Sequence, residues 1–281
     1  MAHPLLDAAT IDEAPEAYLK RVGQIETIFG AQTQDSGNIS YGVRVEGTSY
    51  FVKSAGHPDS TSSYFAHAGR TELLRNAVRL RQSADHETLP ALYNTIESPH
   101  GPLLVYEWVA GDLLRVEKKD RNDPAQSYAR FRHLPITQIA NALGQVYEAH
   151  AILAAAGWIA VDFYDGSLIY DFTRQRIYLI DLDHYHRGPF TNEMGRIFGS
   201  TRFMAPEEFE RGAHIDERST IFSLARTAAL FLSDGTLERA PFRASDSLYQ
   251  VVHRACAPNP DQRFASVADF FLAWRQALNS N

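Results

Sequence analysis

Cysteine is almost missing from this chain. Among 281 residues there is one, Cys256, so no disulfide can form within it, which suits a reducing compartment. No apolar run approaches the length needed to cross a bilayer. Positive charge is not in excess either. Lysine and arginine number 27 against 34 acidic residues, a formal net charge of -7, so the global balance gives no support to nucleic-acid binding through phosphates. The opening MAHPLLDAATIDEAPEAYLK lacks a basic segment followed by an apolar core, so no secretory leader is expected. Repeats and low-complexity tracts are also missing. What is there is ordinary for a globular chain: 44% hydrophobic and 22% charged residues, which does not favour disorder. The length suffices for one large domain or two lobes with real cores. The expectation is a soluble cytoplasmic protein without nucleic-acid or membrane partners.

The front of the chain is strand-rich. IETIFGAQTQ reads as a strand, and ISYGVRVEGTSYFVK as two strands around Glu46-Gly47-Thr48. AGRTELLRNAVRLRQSA carries Leu73, Leu74, Ala77, Val78 and Leu80 at helical spacing. PALYNTIES and GPLLVYEWV follow as two more strands around a Ser-Pro-His-Gly turn. Beyond the Gly111-Asp112 break the pattern becomes mainly helical. Ile136, Ile139, Leu143, Val146 and Tyr147 predict a helix that Gly157 would end. Two short strands follow, SLIYDF and RIYLIDLD, then a stretch without periodicity from His184 to about Ala205. Three helices close the chain: STIFSLARTAALFLS, SDSLYQVVHRACA and SVADFFLAWRQALN.

Several residues in this frame point to chemistry. RIYLIDLDHYH is an apolar run that ends in two carboxylates, Asp181 and Asp183. Buried carboxylates are costly unless paired, hydrogen-bonded or metal-bound. Asp162 follows an apolar helix in a loop, where a carboxylate can serve as a base or orient a hydroxyl. Ser167 and Asp181 lie at the two ends of one short hairpin, which would bring them together as hard oxygen ligands for magnesium. Lys53 ends a strand whose alternation can turn it to an inner face. Glu72, on the helix that follows, is a candidate partner for it.

In this order the motifs resemble those of eukaryotic-type serine/threonine protein kinases, in a divergent bacterial-like form, over about residues 25 to 277. YFVK matches the strand lysine, Glu72 the helix glutamate, and LLVYEWVAGDLL the strand into the hinge. VDFYDGS matches the catalytic loop, LIDLD the magnesium motif, FGSTRFMAPEEF the end of the activation segment and PNPDQRFASVADF the late arginine segment. The resemblance implies an α+β fold in two lobes. Residues 1–107 would form a lobe of antiparallel sheet plus one helix, and residues 108–281 a mainly helical lobe. It implies ATP and Mg²⁺ as cofactors and a protein substrate with a serine or threonine hydroxyl. Lys53 would contact nucleotide phosphates and pair with Glu72, Asp162 would orient the substrate hydroxyl and take its proton, and Asp181 would hold magnesium. The backbone at Glu107 and Val109 would bind adenine behind a Tyr106 gatekeeper. Glu207 would pair with Arg263, and Ser200 would lie beside the catalytic aspartate.

The departures are specific. No G-x-G-x-x-G precedes Lys53. DSGNISYGV stands there instead, closer to the phosphate loop of aminoglycoside and choline kinases, with Gly37, Asn38 and Ser40 as phosphate donors. Ala160 and Val161 replace the usual histidine and arginine, Tyr164 the usual lysine, Ser167 the second metal-binding asparagine and Asp183 a glycine. The lost arginine implies activity independent of activation-loop phosphorylation. Asp165 or Asp183 could replace the lost ligand. Three readings follow: a protein kinase, a small-molecule phosphotransferase, or a pseudokinase that binds partners. Asp181, Asp183, His184 and His186 could also form a transition-metal cluster, the minor reading. Cys256 reads as a core thiol, and Trp108, Trp158 and Trp274 as packing residues. Arg187, Arg196 and Arg202 are candidates to contact phosphate or an acidic peptide, or they line a solvated loop.

Overall fold

The computed structural model describes residues 2–30, 36–60 and 65–280. They form two compact units. The first comprises Met1–Gln82 and Pro90–Val109, the second Ser83–Leu89 and Ala110–Asn281.

The first unit opens with helix α1 (Pro15–Val22), which the apolar pattern does not announce. Five strands follow: β1 (Gln24–Phe29), β2 (Ile39–Val45), β3 (Thr48–Ser54), β4 (Leu92–Ser98) and β5 (Gly101–Glu107), with α2 (His67–Ser83) between β3 and β4. Their order is β1-β2-β3-β5-β4, antiparallel throughout. The part of the predicted first strand at 31–34 lies outside the described residues. Val45 pairs with Thr48, so the turn is the two residues Glu46 and Gly47. Both have positive φ, 49° and 83°, as a tight hairpin turn with the twist of its strands requires.

Register decides the two faces of this sheet, because directly opposed residues share a face. Tyr41 opposes Val52 and Val52 opposes Val105. That face is apolar and packs with Leu5, Tyr18 and Leu19. Ser40 opposes Lys53 and Lys53 opposes Leu104. Leu104 packs with Ala55 and with Leu74 and Ala77 of α2. Lys53 therefore stands on the α2 face, among buried neighbours.

The second unit contains β6 (Asp112–Leu113), α3 (Ser127–Arg132), α4 (Ile136–Ala155), β7 (Trp158–Ile159), β8 (Leu168–Asp171), β9 (Arg176–Leu179), β10 (His186–Arg187), β11 (Phe190–Thr191), β12 (His214–Ile215), α5 (Glu217–Ser233), α6 (Asp246–Ala255) and α7 (Val267–Asn279). Helix α5 is buried nearly all round, with only Glu217, Arg218, Phe222 and Arg226 outside its buried set. Asp216, Ser245 and Ser266 cap α5, α6 and α7. The Trp274 indole donates to the Ala140 carbonyl at 3.1 Å and meets the Tyr147 ring, so α4 and α7 are locked together. Trp158 is likewise buried, whereas Trp108 is 41% exposed and is less of a packing residue than its type suggests. Cys256 is a core thiol, with burial pushing it up to about 12. Ser83–Leu89 belongs to this unit because it is bonded into it. Thr88 accepts from the Leu179 amide at 2.8 Å and Ser83 from the Trp158 indole at 2.7 Å.

The architecture is thus α+β, with an antiparallel sheet in the N-terminal unit and seven α-helices among the described residues, most of them in the C-terminal part.

Candidate functional site

In the first unit, the pleat delivers Lys53 to a buried position with 8% exposure. Ser40 beside it is fully buried and Asn38 nearly so. The Asn38 Oδ1 has no hydrogen-bond partner, a cost of about 1–3 kcal/mol for a buried acceptor. Gly37, with φ 82°, begins this short loop. Its carbonyl faces Gly56, where an added Cβ would lie 2.3 Å from that oxygen, and Gly56 itself has φ 73°. No other residue type fits there.

Arg70, on the same face of α2 as Leu74 and Ala77, fixes this arrangement. It is fully buried and donates to the carbonyls of Ala55 (2.7 Å), Phe65 (2.8 Å) and His57 (3.0 Å). The chain is thereby pinned on both sides of Gly56. The sequence signal that could have found Arg70 is its i, i+4, i+7 spacing with Leu74 and Ala77.

Glu72 departs from the expectation. Its side chain is 61% exposed and its carboxylate accepts from Arg79 at 2.7 Å. The inward positions of α2 are Arg70, Leu74, Ala77 and Leu80, so Glu72 lies off the stripe that faces the sheet, and its ion pair is with Arg79 rather than Lys53. At the end of β5, the Glu107 amide donates to the Ala91 carbonyl at 2.8 Å and the Glu107 carboxylate accepts from the Ala91 amide at 3.2 Å. Val109 is half-buried and closes the unit.

In the second unit, Asp162 and Asp181 share an unusual backbone. Both take left-handed φ, 61° and 62°, a conformation that costs an L-residue of the order of 1 kcal/mol and is concentrated at functional sites. Hairpin β8–β9 places Asp181. Leu168 pairs with Leu179, and the Ile180 amide donates to the Ser167 carbonyl at 2.9 Å. Ser167 and Asp181 are therefore at adjoining positions across the hairpin end. The strand stops at Leu179, so the alternation that would have turned Asp183 the same way as Asp181 does not apply. Asp181 is exposed, whereas Asp183 is 4% exposed.

Like charges meet here. Asp162 is pushed up to about 7, first by burial and then by the negative charge of Asp181, with Arg115 and Arg196 partly offsetting. Arg115 was not visible as a site residue in the sequence. Its guanidinium lies over the Tyr164 ring at 5.4 Å and donates to the Tyr164 hydroxyl at 3.3 Å. It supplies a cation beside Tyr164. Asp165 is 1% exposed and accepts from Arg202 through both oxygens, at 3.1 and 3.0 Å. It is engaged in that ion pair. The Ser167 Oγ is buried without a hydrogen-bond partner.

These groups fit a magnesium ion. Magnesium is held by one or two carboxylates plus substrate phosphates and water rather than by an all-protein cage. Among the described residues no three or more His, Cys, Asp or Glu side chains are placed to hold a metal. The transition-metal reading does not survive that, since the His186 Nδ1 is bonded to the Gly188 carbonyl and its ring stacks on Phe190. The orphaned Ser167 hydroxyl and the mutually repelling Asp162 and Asp181 are what a hard cation would satisfy.

The segment after these carboxylates packs on the loop that carries Asp162. A Cβ at Gly199 would lie 3.8 Å from the Asp162 Cα, which puts Ser200 near Asp162. Val161, Ile197 and Met204 form one buried cluster. Glu207 and Arg263 form the expected pair in a two-pronged geometry, 2.6 and 2.9 Å, with both residues buried.

No protein-family model matches the chain. It is similar to the serine/threonine-protein kinase PknG of Mycobacterium leprae (strain TN), 27% identical over 223 residues, which is 72% of this chain and 27% of that protein. Its likeness to serine/threonine-protein kinase PknG of Mycolicibacterium smegmatis (strain ATCC 700084 / mc(2)155) is 27% over 222 residues, with the same coverage. The matched stretch is about a quarter of the length of these relatives. The similarity supports a protein kinase-like relationship.

Proposed function

We propose that the chain is an ATP- and Mg²⁺-dependent phosphotransferase that transfers the γ-phosphoryl group to a serine or threonine hydroxyl of a protein. The observation that carries this is the joint placement of Asp162 and Asp181 in left-handed turns, with the buried, unsatisfied Ser167 hydroxyl at the same hairpin end. The kinase-like relatives and the Glu207–Arg263 pair support it. Asp181, Ser167 and Asp183 would hold the magnesium, which when bound neutralises phosphate charge. Asp162 orients the acceptor hydroxyl and takes its proton as the new P–O bond forms and the bond to ADP breaks. Arg115 sets a positive charge beside that aspartate. Lys53, Gly37, Asn38 and Ser40 serve as nucleotide-phosphate donors, and the backbone at Glu107 and Val109 as the adenine partner.

The protein-substrate reading is preferred over a small-molecule acceptor because the FGSTRFMAPEEF segment packs on the catalytic loop. The test is radiolabelled ATP with generic protein substrates and a panel of small alcohols. Transfer to protein, reduced at least ~100-fold by Asp162→Asn, is the expected result. Transfer confined to small alcohols moves the chain to the small-molecule class. No transfer to anything, together with no Mg²⁺-dependent nucleotide binding, leaves a binding module.

A further inference from the structure

The positive charge of the second unit is not used up by the site above. A cavity of about 160 Å³ lies beside α5, lined by Arg121, Arg202, Arg226, Phe203, Leu230 and Asp234. Three arginines at one small cavity repel each other unless something negative joins them. The carboxylates nearby already hold other donors, Asp234 through one of its two oxygens. Asp165 takes one nitrogen of Arg202, and the Asp234 Oδ1 accepts from the Tyr128 hydroxyl at 2.6 Å and pairs with Arg132 at 3.1 Å. What is left over is donor capacity. The Arg202 Nη1 and the Arg121 Nε are both buried with no hydrogen-bond partner. Buried donors left unmade are costly, more so when charged.

The arginines are also held in place without a ligand. The Arg226 Nε donates to the Arg202 carbonyl at 3.0 Å. The Arg202 guanidinium stacks over Phe203 at 5.0 Å and that of Arg121 over Tyr128 at 5.4 Å. Pre-ordered donors bind without a further ordering cost. The cavity is smaller than the ~300 Å³ typical of sites for whole small molecules, so it suits a single anionic group. Arginines from three chain segments line it, and planar guanidinium forks match a phosphoryl group, whose oxygens point in several directions.

We propose that this cavity is a binding site for a phosphoryl oxyanion, carried on a phosphorylated side chain or present as free phosphate. Because Arg202 joins the cavity to Asp165, three positions after Asp162, occupancy also braces the catalytic loop. The assignment does not require that the chain transfer phosphoryl groups.

The test is calorimetric titration of the full chain with inorganic phosphate, with N-acetyl-phosphothreonine methylamide, and with the threonine and glutamate analogues of that amide. Each is measured on the wild type and on Arg121→Gln, Arg226→Gln and Lys53→Met. Expected is binding of the phosphorylated probes, weakened at least ~10-fold by Arg121→Gln or Arg226→Gln, as loss of one charge-assisted hydrogen bond implies. Lys53→Met should leave it unchanged, which separates the cavity from the nucleotide-phosphate residues. Tighter binding of phosphothreonine than of phosphate assigns the site to a modified side chain, and the reverse order to the free ion. Equal binding of the glutamate analogue overturns the phosphoryl assignment. So does no binding, or binding that only Lys53→Met abolishes. If Arg226→Gln does not fold, Arg121→Gln decides, since Arg121 lies in a surface loop outside the helices.

Discussion

Removing Arg263 should unfold the second unit long before it disturbs any chemistry. The guanidinium makes five hydrogen bonds: two to the Glu207 carboxylate (2.6 and 2.9 Å) and one each to the carbonyls of Ala257 (2.8 Å), Arg218 (2.9 Å) and Pro258 (3.1 Å). Its side chain is fully buried and that of Glu207 is 8% exposed. In Arg263→Met the thioether fills much of the volume, but Glu207 is left with the Ser219 hydroxyl at 2.7 Å as its remaining side-chain donor. Leaving a buried charge without its partner costs about 3–5 kcal/mol. For a unit of this size each kcal/mol lowers Tm by about 2–4 °C, so the melting temperature should fall by roughly 6–20 °C. Replacing both partners, Arg263→Met with Glu207→Leu, removes the stranded charge and should recover at least half of the loss. The measurement is urea denaturation and thermal unfolding of the two single variants and the double variant. A loss under ~1 kcal/mol for Arg263→Met, or a double variant no more stable than the single, would refute the reasoning that burial of the charge sets the cost.

Two other predictions concern catalysis and pH. Arg115→Met should slow phosphoryl transfer by ~10- to 100-fold at unchanged Tm, with partial rescue by Arg115→Lys, because a cation near Asp162 is what is lost; an unchanged rate in a transfer assay refutes the role. Glu208 is buried against the Ala205 amide at 2.5 Å, and burial pushes it up to about 8. Its folded pKa is raised above the unfolded value, so its contribution to stability is complete below about pH 4.5 and is lost as pH rises towards 8. The loss amounts to about 3 kcal/mol by pH 7. Glu208→Gln should flatten stability against pH over that window in denaturant titrations. An unaltered slope means that Glu208 is ionised in the folded state.

Much of the fold was legible because periodicity is a local property. The long helices α2, α4, α5, α6 and α7 and the strands of the first sheet follow from 3.6-residue and two-residue alternation of apolar side chains. Helix α1 was missed because its buried face is only Pro15, Tyr18 and Leu19, too short a stripe to stand out. The apolar run into Asp181 correctly signalled a hairpin end. Asp183 could not be read in the same way, because the left-handed turn at Asp181 ends the alternation on which that reading relied.

The amino-acid order by itself determined which groups are available: Lys53, Asp162, Ser167, Asp181, Glu207 and Arg263, each at a spacing that local geometry can interpret. Tertiary structure alone decided which charges meet. It turned Glu72 outward to Arg79, bound Asp165 to Arg202, buried Arg70 beneath the Gly56 turn and gathered Arg121, Arg202 and Arg226 at one cavity. Alternation is set by neighbours along the chain, but the partner of a charge is set by segments far apart in sequence, and only folding brings these within reach of one another.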